Sequence, residues 1–109
     1  MAVLAGLARF AIPVRHSGDL DRSGVLILRS LMKRSGAHVE PLLMDAKTHA
    51  RFVSVGLPLT ADERRRLERT FAEDARDAPC HDLLHAVLAS GLWVEQEQFA
   101  EQLLEAGLS

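Results

Sequence analysis

The spacing of apolar side chains predicts a chain built mainly of helices. Residues 22–34 show this pattern most clearly, because Val25, Leu28 and Met32 fall on one face of a helix that basic residues close. The same periodicity predicts further helices over residues 2–12, 41–51, 60–75, 79–90 and 95–106. No low-complexity linker separates these elements, so we expect one domain spanning residues 1–109.

Local signals mark the ends of several elements. Thr60 and Glu63 form the capping box that satisfies the first free N–H groups of a helix, and Gly91 fits the position just after a helix end. Residues 52–59 depart from the helical period, because apolar and small side chains alternate there. We therefore expect a short strand near 52–57 within an otherwise all-α fold.

The cysteine content and the apolar runs indicate an intracellular protein. The single cysteine, Cys80, excludes an intrachain disulfide and is typical of a reducing compartment, so we expect a cytoplasmic location. The apolar N-terminal run is interrupted by Arg9 and fits a signal peptide poorly. No run approaches the roughly 18 to 20 apolar residues of a membrane span, so we expect no membrane partner.

Charge is distributed unevenly along the chain. Residues 1–60 carry eight basic and four acidic side chains, whereas residues 61–109 carry five basic and eleven acidic ones, within a net charge of −2. An acidic C-terminal half repels nucleic acid and attracts cationic partners. We therefore expect a basic protein surface as the partner rather than nucleic acid.

Alternating oxygen donors precede the helix predicted over residues 22–34. In the segment HSGDLDRSGVLILRS, Asp19, Asp21, Ser23 and Gly24 occupy the first, third, fifth and sixth places of the calcium-loop pattern D-x-[DN]-x-[DN]-G-x5-E. The twelfth place holds Ser30, which cannot supply the two carboxylate oxygens that normally close the site. We therefore expect no firmly bound cofactor, with Asp19, Asp21, Ser23 and Ser30 as a weak calcium site.

Two later segments, LTADERRRL and VEQEQFAEQLL, repeat features of this loop. Leu59 and Val94 stand 35 residues apart at the apolar eighth position of such loops. Together with HSGDLDRSG, these segments resemble loop exits of the EF-hand superfamily, specifically its calmodulin-like and light-chain-like members with degenerate loops. The resemblance implies helix-loop-helix units packed as one small domain. The first loop would run over residues 13–24 or 19–30, and the sequence leaves both registers open.

The EF-hand resemblance implies a protein that binds other proteins and is not an enzyme. Degenerate members keep the groove between helix pairs, which holds an amphipathic helix of a partner. We therefore expect a non-catalytic adaptor or light-chain-like subunit that binds a basic amphipathic helix, and homodimerisation stays open. The residues expected to line this groove are Leu88, Trp93, Phe99, Leu103 and Leu104.

A second cluster of possible metal ligands lies in the segment CHDLLH. His81 and His85 are one helical turn apart and Cys80 precedes them, a spacing that resembles part of the HExxH zinc motif. Asp82 stands where that motif has its glutamate base, and no motif supplies a third ligand. The favoured interpretation is that both histidines lie at the edge of the core, and the sequence leaves metal binding open.

An alternative interpretation is a dimeric regulator that binds DNA. The segments RFVSVGLP, ERRRLERTFAEDA and HDLLHAVL resemble the ribbon-helix-helix family, in which a strand from each subunit reads the major groove. In that arrangement Arg51 and the run 64–66 would contact phosphates. The resemblance implies that residues 52–57 pair between two molecules, so the pairing of this strand distinguishes the two folds.

Overall fold

The computed structural model describes residues 14–34, 38–102 and 104, which fold into helices joined by short strands. The helix predicted over residues 2–12 lies outside the described residues. The described strands are β1 Val14–His16, β2 Val39–Pro41, β3 Leu57–Pro58 and β4 Leu92–Trp93. The described α-helices are α1 Arg22–Arg34, α2 Ala46–Phe52, α3 Ala61–Glu73 and α4 His81–Ser90. Two 3-10 helices are Val53–Val55 and Gln96–Phe99.

The first half of the described chain is a β-α-β unit. Strand β1 pairs in parallel with β2, with Arg15 opposite Glu40 and His16 opposite Pro41. Two parallel neighbours cannot be joined by a tight turn, so α1 makes the crossover between them. The loop that leaves the carboxyl end of β1 therefore leads directly into the amino end of α1.

Helix α1 has the bounds that its sequence predicts. Its start is fixed by Asp21, whose Oδ1 accepts a hydrogen bond of 2.7 Å from the backbone N–H of Gly24. Val25 and Leu28 on its inner face are both fully buried, and Lys33 and Arg34 lie in its last turn. The helix is thus held by one cap and one apolar face; the sequence predicts the apolar face, whereas the capping role of Asp21 comes from the structure.

Two later helices have an end at a predicted signal, whereas α2 begins at Ala46 and not at Pro41, which lies in β2. Thr60 Oγ1 accepts a hydrogen bond of 3.1 Å from the Glu63 N–H at the start of α3. Gly91 ends α4 in the left-handed conformation, with φ of 71°, which favours glycine because a Cβ is disfavoured there. The expected last helix, 95–106, begins as the 3-10 turn Gln96–Phe99, and helical residues follow from Ala100.

A short antiparallel contact joins the two halves of the fold. Strand β3 pairs with β4, placing Leu57 opposite Trp93. Just beyond it, the Leu20 N–H donates a hydrogen bond of 2.8 Å to the Val94 carbonyl, so the loop after β1 is tied to the segment after β4. The buried apolar side chains form one core cluster: Leu20, Val25, Leu28, Val39, Met44, Leu67, Cys80, Leu83, Leu84, Val87, Val94 and Phe99.

The structure corrects three further sequence-based expectations. The calcium loop over residues 19–30 is wrong as a loop, because nine of those positions, Arg22–Ser30, are helical residues of α1. The strand near 52–57 is confirmed only at its end, since Phe52 completes α2 and residues 53–55 form a 3-10 turn. The strand pairs within the chain, which contradicts the intermolecular ribbon of the ribbon-helix-helix interpretation.

No helix among the described residues is long and apolar enough to cross a membrane.

Candidate functional site

Two aspartates lie in the loop between β1 and α1, which we call the carboxylate loop, residues 17–21. Asp19 Oδ1 accepts a hydrogen bond of 2.7 Å from the Gln96 N–H, and Asp21 Oδ1 accepts one of the same length from the Gly24 N–H. No hydrogen bond from the described residues reaches Oδ2 of either carboxylate. Among the described residues, each aspartate is therefore held through one carboxylate oxygen.

The charge of Asp21 is unfavourable in its surroundings. Burial raises the pKa of this carboxyl above its ordinary value, and the nearby negative charges of Asp19 and Glu63 raise it further. The hydrogen bond from the Gly24 N–H lowers the pKa; its effect is smaller than that of burial but larger than that of either neighbouring charge. A half-buried acid beside other acids has the electrostatic environment that a bound cation stabilises.

Two cavities border the carboxylate loop. One, of about 250 Å³, has the following lining residues: Asp21, Arg22, Ser23, Leu59, Glu63, Arg66, Leu67 and Trp93. The second, of about 240 Å³, includes Asp19 and Asp21 in its wall together with Ser17. The Ser17 hydroxyl oxygen is buried and has no hydrogen-bond partner within the described residues. The loop thus holds an unused polar atom beside its carboxylates.

The four residues predicted as a calcium site are only partly brought together. Asp19 and Asp21 share the carboxylate loop, and Ser23 lies in the first turn of α1. Ser30 lies seven residues further along that helix, about 10 Å away at the usual rise per residue. Calcium binding itself stays a prediction, and Ser30 is not positioned to take part in it.

The residues predicted to bind a partner helix do not form one exposed groove. Phe99 is buried, with 1% exposure, and Leu88 and Trp93 are half-buried against the core. Leu104 is 69% exposed, and Leu103 lies outside the described residues. Partner binding by this set stays a prediction, with Leu104 as its most accessible member.

The histidines of CHDLLH occupy different surroundings. His81 Nδ1 lies 2.9 Å from Asp74 Oδ2, and its ring stacks on Phe71 with centroids 4.6 Å apart. His85 is exposed, and burial raises the pKa of the Cys80 thiol to about 11. Within the described residues no group of three or more His, Cys, Asp or Glu side chains is placed to hold a metal ion. The contacts of His81 are therefore with the Asp74 carboxylate and the Phe71 ring.

Sequence reasoning missed the residues that reach the carboxylate loop from elsewhere in the chain. Glu63 and Arg66 come from α3, and Trp93 comes from β4, more than 40 residues after the loop. The spacing of Glu63, Arg66 and Leu67 on one face of a helix was visible in the sequence. The identity of the loop that this face meets was not, because it depends on tertiary packing.

Comparison with known proteins places the chain in a family. A protein-family model described as Wadjet protein JetD, C-terminal, matches residues 4–108. The Wadjet protein JetD of Bacillus cereus (strain Q1) is 28% identical over 98 residues, which cover 90% of this chain and 24% of that protein. The chain thus spans about a quarter of the length of this curated relative. No solved structure matches the chain.

These matches overturn both family resemblances drawn from the sequence. The EF-hand assignment is wrong, and with it the adaptor or light-chain role and the degenerate calcium loop as an EF-hand feature, because the matching family covers nearly the whole chain. The ribbon-helix-helix regulator is wrong for the same reason. The chain belongs to the family of the C-terminal region of the Wadjet protein JetD.

Proposed function

We propose that this chain acts as the C-terminal region of a JetD-type Wadjet protein and that its carboxylate loop binds a divalent cation, Mg²⁺. Family membership supports the first part. The second part rests on one observation: Asp19 and Asp21 follow the carboxyl end of β1 in a β-α-β unit. Open α/β sheets bind their ligands at this edge, just outside the carboxyl ends of the strands.

The number and kind of ligands favour Mg²⁺ over Ca²⁺. Calcium takes six to eight oxygen ligands, whereas Mg²⁺ is commonly bound by one or two carboxylates, with water and substrate phosphates completing its shell. The loop offers the Oδ2 atoms of Asp19 and Asp21 and the unpaired Ser17 hydroxyl nearby. Held by Asp19 and Asp21, Mg²⁺ would supply Lewis-acid polarisation of a phosphoryl oxygen.

The residues around the loop suit a phosphate-bearing ligand. Arg22 and Arg66 line the same cavity as Asp21, so cationic groups flank the carboxylates. This local mixture differs from the acidic excess of residues 61–109 as a whole. The expectations of a non-catalytic chain, of a protein partner and of a cytoplasmic location stay predictions.

Isothermal titration of the full chain with MgCl₂ and with CaCl₂ tests the cation site. We expect saturable Mg²⁺ binding that weakens about tenfold or more in Asp19→Asn and in Asp21→Asn, because each change removes an anionic ligand. Asp77→Asn is the matched control, since Asp77 is exposed in the turn between α3 and α4. Equal Mg²⁺ binding by wild type and the Asp19→Asn/Asp21→Asn double variant would contradict the proposal.

The Mg²⁺ affinity measured in the same titration should depend on pH. Protons compete with the cation for Asp21, whose pKa lies above its ordinary value of 3.8. We therefore expect Mg²⁺ affinity to fall as the pH is lowered toward the raised pKa, and the Asp21→Asn variant to lose most of this dependence. A flat affinity profile from pH 7 to pH 4 in the wild type would count against Asp21 as a ligand.

A further inference from the structure

We propose that His49, a buried residue of α2, is a positioning residue for the carboxylate loop, because it holds the segment whose backbone orients Asp19. The inference rests on the proposed function, since the loop that His49 positions is the proposed Mg²⁺ site. His49 acts through residues 92–96, hereafter the connecting segment, and not as a ligand of the cation.

His49 is a polar side chain in the interior of the fold. Only 3% of it is exposed, which is uncommon for a histidine and calls for a hydrogen-bond partner. Its Nε2 lies 2.9 Å from the carbonyl oxygen of Leu92, 43 residues later in the chain. Because a carbonyl oxygen only accepts hydrogen bonds, Nε2 must carry the hydrogen and donate it. This bond ties α2 to the first residue of the connecting segment.

The connecting segment reaches the carboxylate loop at two further points. The Val94 carbonyl accepts a hydrogen bond of 2.8 Å from the Leu20 N–H. Two residues later, the Gln96 N–H donates a hydrogen bond of 2.7 Å to Asp19 Oδ1. The ties thus fall on alternate residues of one short stretch, first to α2 and then to the loop. A displacement of Leu92 is therefore passed along the backbone to the group that orients Asp19.

The other contacts of Leu92 support it less firmly. Ser90 Oγ lies 3.2 Å from the same carbonyl oxygen, but Ser90 is only two residues away and moves with Leu92. Strand β3 pairs with β4 through Leu57 and Pro58, both of which are exposed. The bond from His49 comes from a buried side chain of a distant element, so it fixes the connecting segment relative to the core.

Helix α2 is itself firmly placed. Asp45 caps its start, with Oδ1 accepting a hydrogen bond of 2.7 Å from the Thr48 N–H. Phe52, on the same face as His49, packs on Phe99 with ring centroids 5.8 Å apart. One face of α2 therefore holds the chain both before and after Gln96. Groups that orient a metal ligand from outside the ligand shell commonly change metal affinity when they are removed.

The Gln96 amide proton reports on this arrangement in the folded chain. A short hydrogen bond to a carboxylate moves an amide proton downfield, so we expect a low-field Gln96 signal in the ¹⁵N-labelled full chain. In His49→Leu this signal should move upfield, because the connecting segment loses its tie to α2. A loss of global stability alone leaves it in place, since the spectrum is read from folded molecules.

A conservative variant should rescue the signal. The side-chain nitrogen of Gln is as many bonds from Cα as the imidazole Nε2, so His49→Gln can donate the same hydrogen bond and should keep the low-field signal. Thr48→Val is the matched control, because Thr48 is the neighbouring residue on α2 and is equally buried, at 3%. It should leave the Gln96 signal unchanged.

Calorimetric titration with MgCl₂ connects the position of the segment to the cation. We expect His49→Leu to weaken Mg²⁺ binding about tenfold, and His49→Gln and Thr48→Val to retain most of the affinity. Circular dichroism verifies that each variant is folded. A long-range ¹H–¹⁵N spectrum of the wild-type imidazole adds a test that needs no variant, since an Nε2 without hydrogen would overturn the proposal.

The outcomes separate this inference from the cation site. A wild type that binds no Mg²⁺, with a Gln96 signal that still depends on His49, contradicts the proposed function and supports the positioning of Asp19. A wild type that binds Mg²⁺, with the same affinity in folded His49→Leu, overturns the positioning role and leaves the proposed function standing. Equal losses in Thr48→Val and His49→Leu also overturn it, because they would show only a general sensitivity of α2.

Discussion

At the scale of single residues, Asp21 combines a structural role with a candidate functional one. As the cap of α1 it needs only an oxygen acceptor, which an uncharged side chain also provides. As a cation ligand it needs its negative charge, and burial beside Asp19 and Glu63 makes that charge unfavourable. The charge is therefore explained by ligand binding better than by folding, as is common where a site costs stability.

Substitutions of Asp21 should separate the stabilising effect of its cap from the destabilising effect of its charge. Asn keeps the cap and removes the charge, so Asp21→Asn should equal or exceed the wild-type free energy of unfolding at pH 7. Asp21→Ala loses the cap and should be about 1 kcal/mol less stable than Asp21→Asn. Urea denaturation at pH 7 measures both. A destabilised Asp21→Asn would show that the fold needs the charge.

The sign of the pH dependence follows from the direction of the shift. The folded pKa of Asp21 is raised above the ordinary value of 3.8, so the cost of its charge is absent below that value and complete above the raised pKa. The stability advantage of Asp21→Asn should therefore disappear as the pH falls below about 3.8. An advantage that persists in acid would exclude charge repulsion as its cause.

Gly24 permits the carboxylate loop to pack on the first turn of α1. A Cβ built at Gly24 would overlap the backbone oxygen of Asp19, whereas one at Gly18 makes only ordinary contacts, with the His16 Nε2 at 3.7 Å and the Gly24 Cα at 4.0 Å. We expect Gly24→Ala to lower the free energy of unfolding by about 1 to 3 kcal/mol and to weaken Mg²⁺ binding. Gly18→Ala is the matched control and should change stability by under about 0.5 kcal/mol. Similar effects of the two substitutions would contradict this role of Gly24.

At the scale of elements, one ionic cluster holds α1 against the segment between α3 and α4. Arg29 donates to both carboxylate oxygens of Asp74, at 3.0 and 2.9 Å, and to the Pro79 carbonyl at 2.9 and 2.7 Å. His81 approaches the same carboxylate. The Asp74 side chain is only 10% exposed, so this bidentate pair is shielded from solvent.

Loss of the Asp74 charge should loosen this junction. We expect Asp74→Asn to lower the free energy of unfolding at pH 7 by roughly 3 kcal/mol, because Arg29 keeps a largely buried charge without its anionic partner. Asp62→Asn is the control, since its pairs with Arg65 and Arg66 are exposed and worth about 0 to 1 kcal/mol each. Equal effects in urea denaturation would show that burial of the Asp74 pair has no consequence.

The difference in stability between wild type and Asp74→Asn should be lost at low pH. The hydrogen bonds from Arg29 hold the pKa of Asp74 below its ordinary value of 3.8. The stabilisation is therefore complete above that value and is lost as the pH falls through the lowered folded pKa. The difference in stability between wild type and Asp74→Asn should begin to shrink below about pH 3.8, so it should be smaller in unfolding curves at pH 3 than at pH 7.

The elements that local chemistry determines were predictable from sequence. Helix α1, the Thr60 cap and the Gly91 end follow from apolar spacing and capping rules, and all three are confirmed. The pairing of β1 with β2 was not predicted, because parallel partners lie a whole helix apart and leave no local periodicity. The strand predicted near 52–57 is the opposite error. Its side chains alternate as in a strand, but most of the segment has no strand to pair with, and only Leu57 lies in β3.

The candidate site was predictable only where it is contiguous. The alternation of Asp19 and Asp21 drew attention to the loop, but the same alternation of oxygen acceptors fits a calcium loop and a capped strand-to-helix turn. Only the position of the helix start distinguishes them, and α1 begins directly after Asp21. Glu63, Arg66 and Trp93 could not be added from sequence, because tertiary packing brings them to the loop.

At the scale of the whole molecule, the core joins the β-α-β unit to the segment that follows α4. Leu20 and Val94 are fully buried where the two segments meet, and they share a backbone hydrogen bond. Phe99 extends this contact, since its ring lies 5.8 Å from that of Phe52 at the end of α2. The segment after β4 therefore contributes to the single core and to the carboxylate loop, through Gln96.

Phe99 and Leu104 are both predicted from sequence to bind a partner, but their substitution by alanine should affect the free energy of unfolding differently. Phe99 is 1% exposed, so Phe99→Ala removes core volume and should lower the free energy of unfolding by about 3 to 5 kcal/mol. Leu104 is 69% exposed, so Leu104→Ala should change it by under about 0.5 kcal/mol. Urea denaturation followed by circular dichroism measures both changes. Phe99→Ala should also weaken Mg²⁺ binding. The reason is that the Gln96 N–H, which donates a hydrogen bond to Asp19, lies in the same 3-10 turn as Phe99. An unchanged free energy of unfolding in Phe99→Ala would show that the segment after β4 lies outside the cooperative core.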